Sequence, residues 1–365
     1  MCGNMTGTNP PRNRRFPQAA LLEWWEREQR PLPWRADPAP WKTWVSEVML
    51  QQTRVDTVVP YFKRFLELFP NPASLAKADS DTLMKSWEGL GYYQRARNLQ
   101  RAVKLVMEQH GGEIPREPRA FAALPGAGPY ITAAVMSIAF GRALPTVDGN
   151  VLRVIARYRG SRRDIRDPRE RRRVECQLLK VIPRDRPGDF NQALMELGAL
   201  VCTPRRPDCS VCPLAASCRA RRLGLTETLP VRSRRRPAPE IDVAVAVVVH
   251  RKRLLVRRRP QGHLGGLWEF PGGRILTGES PREAIRRSIS GELGMVVKVG
   301  EPIAMVHHAY THFRIRMQVF RATCLSGPPK EAEDLRWILP AELEGLPLPG
   351  ANRKALPAIL SGDGL

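Results

Sequence analysis

Long apolar runs are missing from this chain. No segment approaches the ~20 consecutive apolar residues that span a bilayer, and the opening MCGNMTGTNPPRNRR has no apolar stretch for a secretory signal. A soluble, intracellular, cytoplasmic protein is expected. Acidic residues are in short supply: 36 Asp+Glu against 59 Lys+Arg leave a formal net charge of +23. Arginine-rich codon usage would raise the charge without any partner, but a surplus this large favours an anionic one. Because the basic residues are spread through globular sequence, nucleic acid is expected before membrane. Cysteine is sparse too, and seven thiols in a reducing compartment suggest a metal or cluster site rather than disulfides. No internal repeat is present.

At 365 residues the chain has room for two or three domains. Residues 1–15 are small, polar, proline-bearing and basic, and are expected to be disordered. From 16 to 223 the pattern is helical, with no comparable alternating run, which predicts an all-α domain. Phe16–Arg30 carries Leu21, Leu22, Trp24 and Trp25 at helical spacing and stops before Pro31. Trp41–Phe69 holds one or two helices with an interruption at Pro60. Thr82–Trp87, Gln94–Gln109, Pro129–Phe140, Asn150–Tyr158, Arg169–Val181 and Phe190–Val201 continue the series. Residues 224–240 are rich in Pro, Arg and Ser and read as a linker. Val-rich Ile241–His250, Leu254–Arg258 and alternating Phe313–Thr323 then predict strands. With a helix at Pro281–Leu293 between them, 241–365 form a smaller α/β domain.

Cys202, Cys209, Cys212 and Cys218 follow the spacing C-x6-C-x2-C-x5-C. Four thiolates within 17 residues can close around one metal centre. Zinc is the generic alternative, although zinc ribbons usually carry two C-x2-C pairs and only one is present. Cys2, Cys176 and Cys324 stand apart and read as ordinary thiols. Leu124-Pro125-Gly126-Ala127-Gly128 lies between helical segments. Its glycines let backbone N–H groups approach a phosphate at the N-terminus of the next helix, and a plain interhelical turn has the same look. Asp148, in Val147-Asp148-Gly149-Asn150, reads as a helix N-cap whose ionised form is favoured there. Glu47 shares a helical face with Gln51 and Arg54, which on its own indicates solvent.

Taken together, these motifs resemble the adenine DNA glycosylases of the MutY type, in the helix-hairpin-helix, iron–sulfur glycosylase superfamily. The resemblance covers about residues 16–356, and the cysteine loop and the string EVMLQQT (47–53) are its most specific parts. It implies one [4Fe–4S] cluster on the four cysteines, a DNA-clamping hairpin at Gly126 and Gly128, Glu47 as general acid and Asp148 as the essential aspartate. The chemistry is coherent: adenine leaves poorly as an anion, so a carboxyl kept protonated near neutral pH helps it depart, and an ionised one steadies the oxocarbenium-like sugar. Tyr130 stands where bifunctional relatives carry a Schiff-base lysine. A phenol cannot form that imine, so hydrolysis without strand cleavage is expected, with Tyr130 and Asn150 as active-site supports. The resemblance also implies DNA contacts from Arg35 (in LPWR), Gln52, Thr53, Leu90 and Tyr92. These surround an extruded base or fill the gap it leaves.

Residues 265–294 resemble a broken Nudix box. Gly273, Glu279 and Arg287 keep their spacing, but Ser288 and Gly291 replace two of the expected glutamates, so metal-dependent hydrolysis is not expected. Such a domain resembles the 8-oxoguanine-reading C-terminal domain of the family. Its recognition loop is Phe-Ser-His in many relatives and Tyr310-Thr311-His312 here. The expectation is therefore an all-α helix-hairpin-helix domain joined to an α/β Nudix-like domain. It would act as a monomer on double-stranded DNA bearing 8-oxoguanine:A or G:A mispairs, near the nucleoid of a bacterium. The rivals are a thymine or uracil mismatch glycosylase and a non-catalytic damage-binding module.

Overall fold

The computed structural model describes residues 16–233, 238–260, 262, 264–310, 312–325 and 331–361. The expected disordered start (1–15), part of the expected linker and Thr311 lie outside the described residues. The chain divides into two compact units: Met1–Ala76 with Asn98–Arg235, and Lys77–Arg97 with Arg236–Leu365.

The first unit is helical. Gln18–Glu28 buries Leu21, Trp24 and Trp25 against Gly149–Arg159 and Pro187–Leu200, whose Val151, Ile155, Phe190, Leu194 and Leu197 complete one core. Trp41–Phe69 does contain two helices, Pro40–Leu50 and Val55–Leu68, but Pro60 sits inside the second and does not interrupt it. The break comes earlier, where Gln52 takes a left-handed φ of 61° that no helix continues through. Asp148 caps Gly149–Arg159 by accepting from Val151 N, and Gly160 ends that helix in the left-handed conformation. No described helix is long and apolar enough to cross a membrane.

The second unit is built on a mixed sheet of β1 (Glu240–His250), β2 (Arg253–Arg258), β3 (Trp268–Glu269), β4 (Gly272–Arg274), β5 (Val297–Ala309), β6 (Arg314–Cys324) and β7 (Leu335–Ile338). The order is β3-β2-β1-β6-β5, with β4 beside β1 and β7 beside β2. β1 and β6 run parallel and the other pairs antiparallel. Alternation along β1 explains its unbroken apolarity. Val245 and Val247 face one core, packed by the helix Gly350–Leu360, while Ala244, Ala246 and Val248 face a second, packed by Pro281–Leu293.

The segment 77–97, which the sequence places inside the helical domain, groups with this second unit. Polar bonds hold it there: Asp81 bonds to Arg258, Trp268 and Arg336, and Glu88 bonds to Leu348 N and Arg353.

Candidate functional site

Glu47 projects from Pro40–Leu50, where Trp44, Val45, Val48 and Met49 are also buried. Only 5 % of Glu47 is exposed, against the solvent position read from its helical wheel. The Tyr130 hydroxyl donates to Glu47 Oε2 at 2.7 Å and lies 3.2 Å from Met195 Sδ. Burial drives the Glu47 pKa up to about 7; the Tyr130 hydrogen bond opposes this, Asp148 adds to it, and Arg35 opposes it. The Tyr130 phenol, half-buried beside two carboxylates, is pushed upward by desolvation and by those charges and so remains a donor.

Asp148 Oδ1 accepts from Val151 N at 2.7 Å and Oδ2 from Asn150 Nδ2 at 3.0 Å. Its pKa is nevertheless raised, because burial outweighs those bonds and the nearby Arg153 guanidinium. The cap geometry is as expected, but burial, and not the helix N-terminus, sets the net direction. Asp148 keeps several pKa-lowering contacts, from Val151 N, Asn150 and Arg153, that oppose the effect of burial. Asn150 is fixed in turn by Arg153, which donates to Asn150 Oδ1 (2.7 Å), the Gly198 carbonyl (2.7 Å) and the Cys202 carbonyl (2.8 Å). Gly198 permits this close approach, since a Cβ there would lie 2.6 Å from Asn150 Cβ.

Arg35 is placed inward. Its fork donates to both oxygens of Glu196 at 3.0 Å, beside Arg30, and its Cζ lies 4.6 Å from the Trp25 ring centroid. Burial alone would raise the Glu196 pKa, but the two guanidinium groups outweigh it and hold it down at about 2. A guanidinium so committed does not fit the direct DNA contact expected of Arg35.

Cys202, Cys209, Cys212 and Cys218 line one small cavity. Four thiols around one space are a donor set that fits an iron–sulfur centre. Burial, reinforced by the neighbouring thiols, pushes the Cys212 pKa up to about 11, a cost that metal ligation would offset. Arg157, almost wholly buried, stitches the loop together by donating to the carbonyls of Thr203 (2.6 Å), Leu229 (2.8 Å) and Pro204 (3.3 Å) and to Cys202 Sγ (3.4 Å). Cys324 forms no disulfide, whereas Cys176, read from the sequence as an ordinary thiol, is disulfide-bonded.

At the hairpin, Gly126 has φ 80° and a Cβ there would lie 2.9 Å from Asn98 Cβ, so only glycine fits. Gly128 is the N-cap of Pro129–Ile138, exposed and with nothing near its Cβ direction. Gln52 and Thr53 lie just beyond the end of Pro40–Leu50, Gln52 exposed and Thr53 half-buried.

In the second unit, Leu90, Tyr92, Tyr310 and His312 line a cavity of about 530 Å³ together with Arg95, His308, Arg353 and others. Leu90, expected as a wedge, is only 5 % exposed. Tyr310 packs edge-on to His308 and tilted against Phe313, with ring centroids 4.5 and 5.0 Å away. In the broken box, Arg287 donates to Glu279 at 2.7 and 3.0 Å, and Glu292 pairs with Arg257. The carboxylates that remain are thus tied to arginines, a donor set that does not fit a divalent cation.

Sequence reasoning missed Glu196, Arg153, Arg157 and His308. Glu196 had a signal, being a lone carboxylate among the apolar residues of Phe190–Val201. The arginines were lost in a chain full of arginine.

Residues 45–183 match the HhH-GPD superfamily of base excision DNA repair proteins, 202–218 the iron-sulfur binding domain of endonuclease III, and 244–358 the NUDIX domain. The adenine DNA glycosylase of Mus musculus is 34% identical over 374 residues, spanning 87% of this chain and 73% of the mouse protein. That of Buchnera aphidicola subsp. Schizaphis graminum is 37% identical over 199 residues, 54% of this chain and 57% of that protein. Among solved structures, a thermostable thymine-DNA glycosylase superposes with a TM-score of 0.52 at 29% identity, covering 56% of this chain and 95% of its own.

Proposed function

This chain belongs to the adenine DNA glycosylase family, and from that premise we propose that it hydrolyses the N-glycosidic bond of adenine opposite 8-oxoguanine or guanine without cutting the strand. As a family member it is a DNA-binding glycosylase of base excision repair with an iron–sulfur cluster on residues 202–218. The observation that carries the finer reading is the buried Glu47 carboxyl with its pKa near 7, bonded to a phenol where an amine would make a lyase.

Extruding adenine from the stack costs a few kcal/mol. Glu47 then delivers its proton to the base, the C1′–N9 bond breaks with its electrons going to adenine, and the base leaves neutral. Asp148, ionised in its cap, faces the developing positive charge on the sugar until water bonds to C1′ and loses a proton to the now ionised Glu47. Asn150 orients Asp148, and Tyr130 keeps Glu47 in place while offering no nucleophilic nitrogen. The backbone at Gly126 and Gly128 grips phosphate without reading sequence, with Gln52 and Thr53 on the duplex. The cluster supplies order to its loop, and no step of base release passes through it. Arg35 acts from within, through Glu196 and on Glu47. Tyr310, Thr311 and His312, with Leu90 and Tyr92, read the lesion, and the protein works as a monomer. A bacterial, cytoplasmic setting is part of the proposal, and the Buchnera relative supports its bacterial half.

The likeness to a thymine-DNA glycosylase favours one rival substrate. Single-turnover base release from 8-oxoguanine:A, G:A, G:T, G:U and matched duplexes separates them. Adenine release fastest opposite 8-oxoguanine is expected, and thymine or uracil release without adenine release overturns the proposal. Thr311→Ala with His312→Ala is expected to narrow the 8-oxoguanine over guanine preference about tenfold, the loss of one or two hydrogen bonds.

A further inference from the structure

The segment 77–97 is fastened to the second unit at both ends. Asp81, in the first turn of the helix Ser80–Trp87, accepts from Arg258 Nη2 (2.7 Å) and Trp268 Nε1 (3.1 Å) on one oxygen and from Arg336 Nη1 (3.3 Å) on the other. Both guanidinium groups also lie over the fully buried Trp268 ring, with Cζ 4.8 and 4.5 Å from its centroid. A single carboxylate thus ties together two cations and the indole they cover. At the far end of the helix, Glu88 Oε1 accepts from Arg353 Nε (2.9 Å), Arg353 Nη2 (2.5 Å) and Leu348 N (3.1 Å). Apolar packing would suffice to hold a helix against a sheet. Charged, multiply bonded contacts add direction and register, which packing alone defines poorly.

Immediately after Glu88 comes the loop Gly89–Tyr93. Tyr92 adopts φ 49°, a conformation costly for a side chain of its size, and Arg95 Nη2 pins the loop by donating to the carbonyls of Leu90 (3.1 Å) and Gly91 (3.0 Å). This loop forms one wall of the 530 Å³ cavity whose other wall carries His308, Tyr310 and His312.

We propose that Asp81 and Glu88 are positioning residues that clamp the Leu90–Tyr92 loop to the body bearing Tyr310 and His312, and that the spacing so fixed separates 8-oxoguanine from guanine. The inference rests on the proposed reading of both walls as lesion readers. The two bases differ by a carbonyl at C8 and a hydrogen at N7. Groups that tell them apart must be held to hydrogen-bond tolerance, where a shift of a few tenths of an ångström matters. Asp81 does not line the cavity, so it can act only by holding the loop.

The test is single-turnover excision from 8-oxoguanine:A and G:A duplexes by the full chain carrying Asp81→Ala, Tyr92→Ala or both, with Arg336→Gln as a milder cut at the exposed side of the clamp. Asp81→Ala is expected to lower the preference for 8-oxoguanine about tenfold, as loss of charged hydrogen bonds predicts, while G:A excision stays within about twofold. Arg336→Gln moves the ratio the same way by less. The double variant shows a loss smaller than the product of the singles, because one residue acts through the other. An unchanged ratio in Tyr92→Ala removes the lesion-reading role of that loop and the clamp with it. A reduced ratio in Tyr92→Ala with an unchanged one in Asp81→Ala and Arg336→Gln overturns the clamp alone. Equal slowing on both duplexes makes Asp81 a purely structural residue and also overturns it. Where Asp81→Ala fails to fold, Asp81→Asn and Arg336→Gln decide the same question.

Discussion

Tyr130 and Glu47 share a partly buried hydrogen bond of 2.7 Å in which the phenol donates and the carboxyl accepts. The bond favours the ionised carboxyl, yet burial outweighs it and leaves the Glu47 pKa near 7. A group balanced in this way holds a proton near neutral pH and is able to part with it.

Replacing the acid tests this directly. Glu47→Gln keeps the shape but has no proton to give, so base excision is expected to fall by at least about 100-fold, with duplex affinity largely kept. The same variant probes stability. The folded-state pKa of Glu47 is raised from 4.5 to about 7, so its protonated form is tolerated at low pH and stability is lost as pH rises across that window. Glu47→Gln is therefore expected to raise the unfolding free energy at pH 8 by up to about 3 kcal/mol, seen as a higher Tm, and to do little at pH 4. Normal excision by the variant removes Glu47 from the chemistry, and no gain in Tm at pH 8 removes the burial argument.

A pH profile of Tyr130→Phe follows from the same pair. The rate requires protonated Glu47, so it declines as pH rises past that group's pKa. Removing the hydroxyl deletes a contact that lowers the pKa, so the alkaline limb of single-turnover excision is expected to move to higher pH. A shift to lower pH would show that the phenol favours the protonated acid instead.

Strand cleavage offers a cleaner negative. With a phenol at position 130, borohydride is expected to trap little covalent enzyme–DNA adduct. Trapping as efficient as that of a bifunctional glycosylase would place a Schiff-base amine elsewhere in the chain.

What the sequence disclosed, and what it hid, follows physical lines. Gln94–Gln109 and Pro281–Leu293 have the bounds that periodicity predicts, since both carry a clear 3.6-residue rhythm and the second has a full capping box at Ser280 and Glu283. β5 went unread because register shifts around Pro302 break its alternation, and β3 and β4 are too short to show a period. Pro60 misled because tertiary packing tolerates a proline inside Val55–Leu68, and the break falls instead at left-handed Gln52, which periodicity does not reveal. Glu47 misled because a helical wheel describes one helix, and Glu47 is covered here by contacts from outside it, Tyr130 among them, while Arg54 on the same face stays exposed. The Asp148 cap was legible because it is local, and the net direction of its pKa was not, because burial is tertiary.

The thiolate loop gives the last prediction. The protein is expected to be brown as isolated, with iron and sulfide in cluster proportions, and Cys209→Ser to weaken DNA binding and loosen residues 202–218 in hydrogen exchange. Cys324→Ser, remote in sequence and outside the cavity, serves as the control. Loosening should not stop at the loop. Arg153 joins the Cys202 carbonyl to Asn150, and Asn150 bonds to Asp148, so disorder at the cysteines reaches the carboxylate through three hydrogen bonds. Arg153→Met keeps much of the side chain's bulk but cuts the two links, to Cys202 and to Asn150, that run through Arg153. It is expected to slow excision about tenfold or more while leaving the iron content near that of the parent, because it removes charged hydrogen bonds and strands their acceptors. Cys209→Ser should lower iron, affinity and rate together. If Arg153→Met loses its iron in step with its activity, the arginine serves the cluster and not Asp148. If neither changes, the two sites are independent, and the chain of bonds between them is scaffolding.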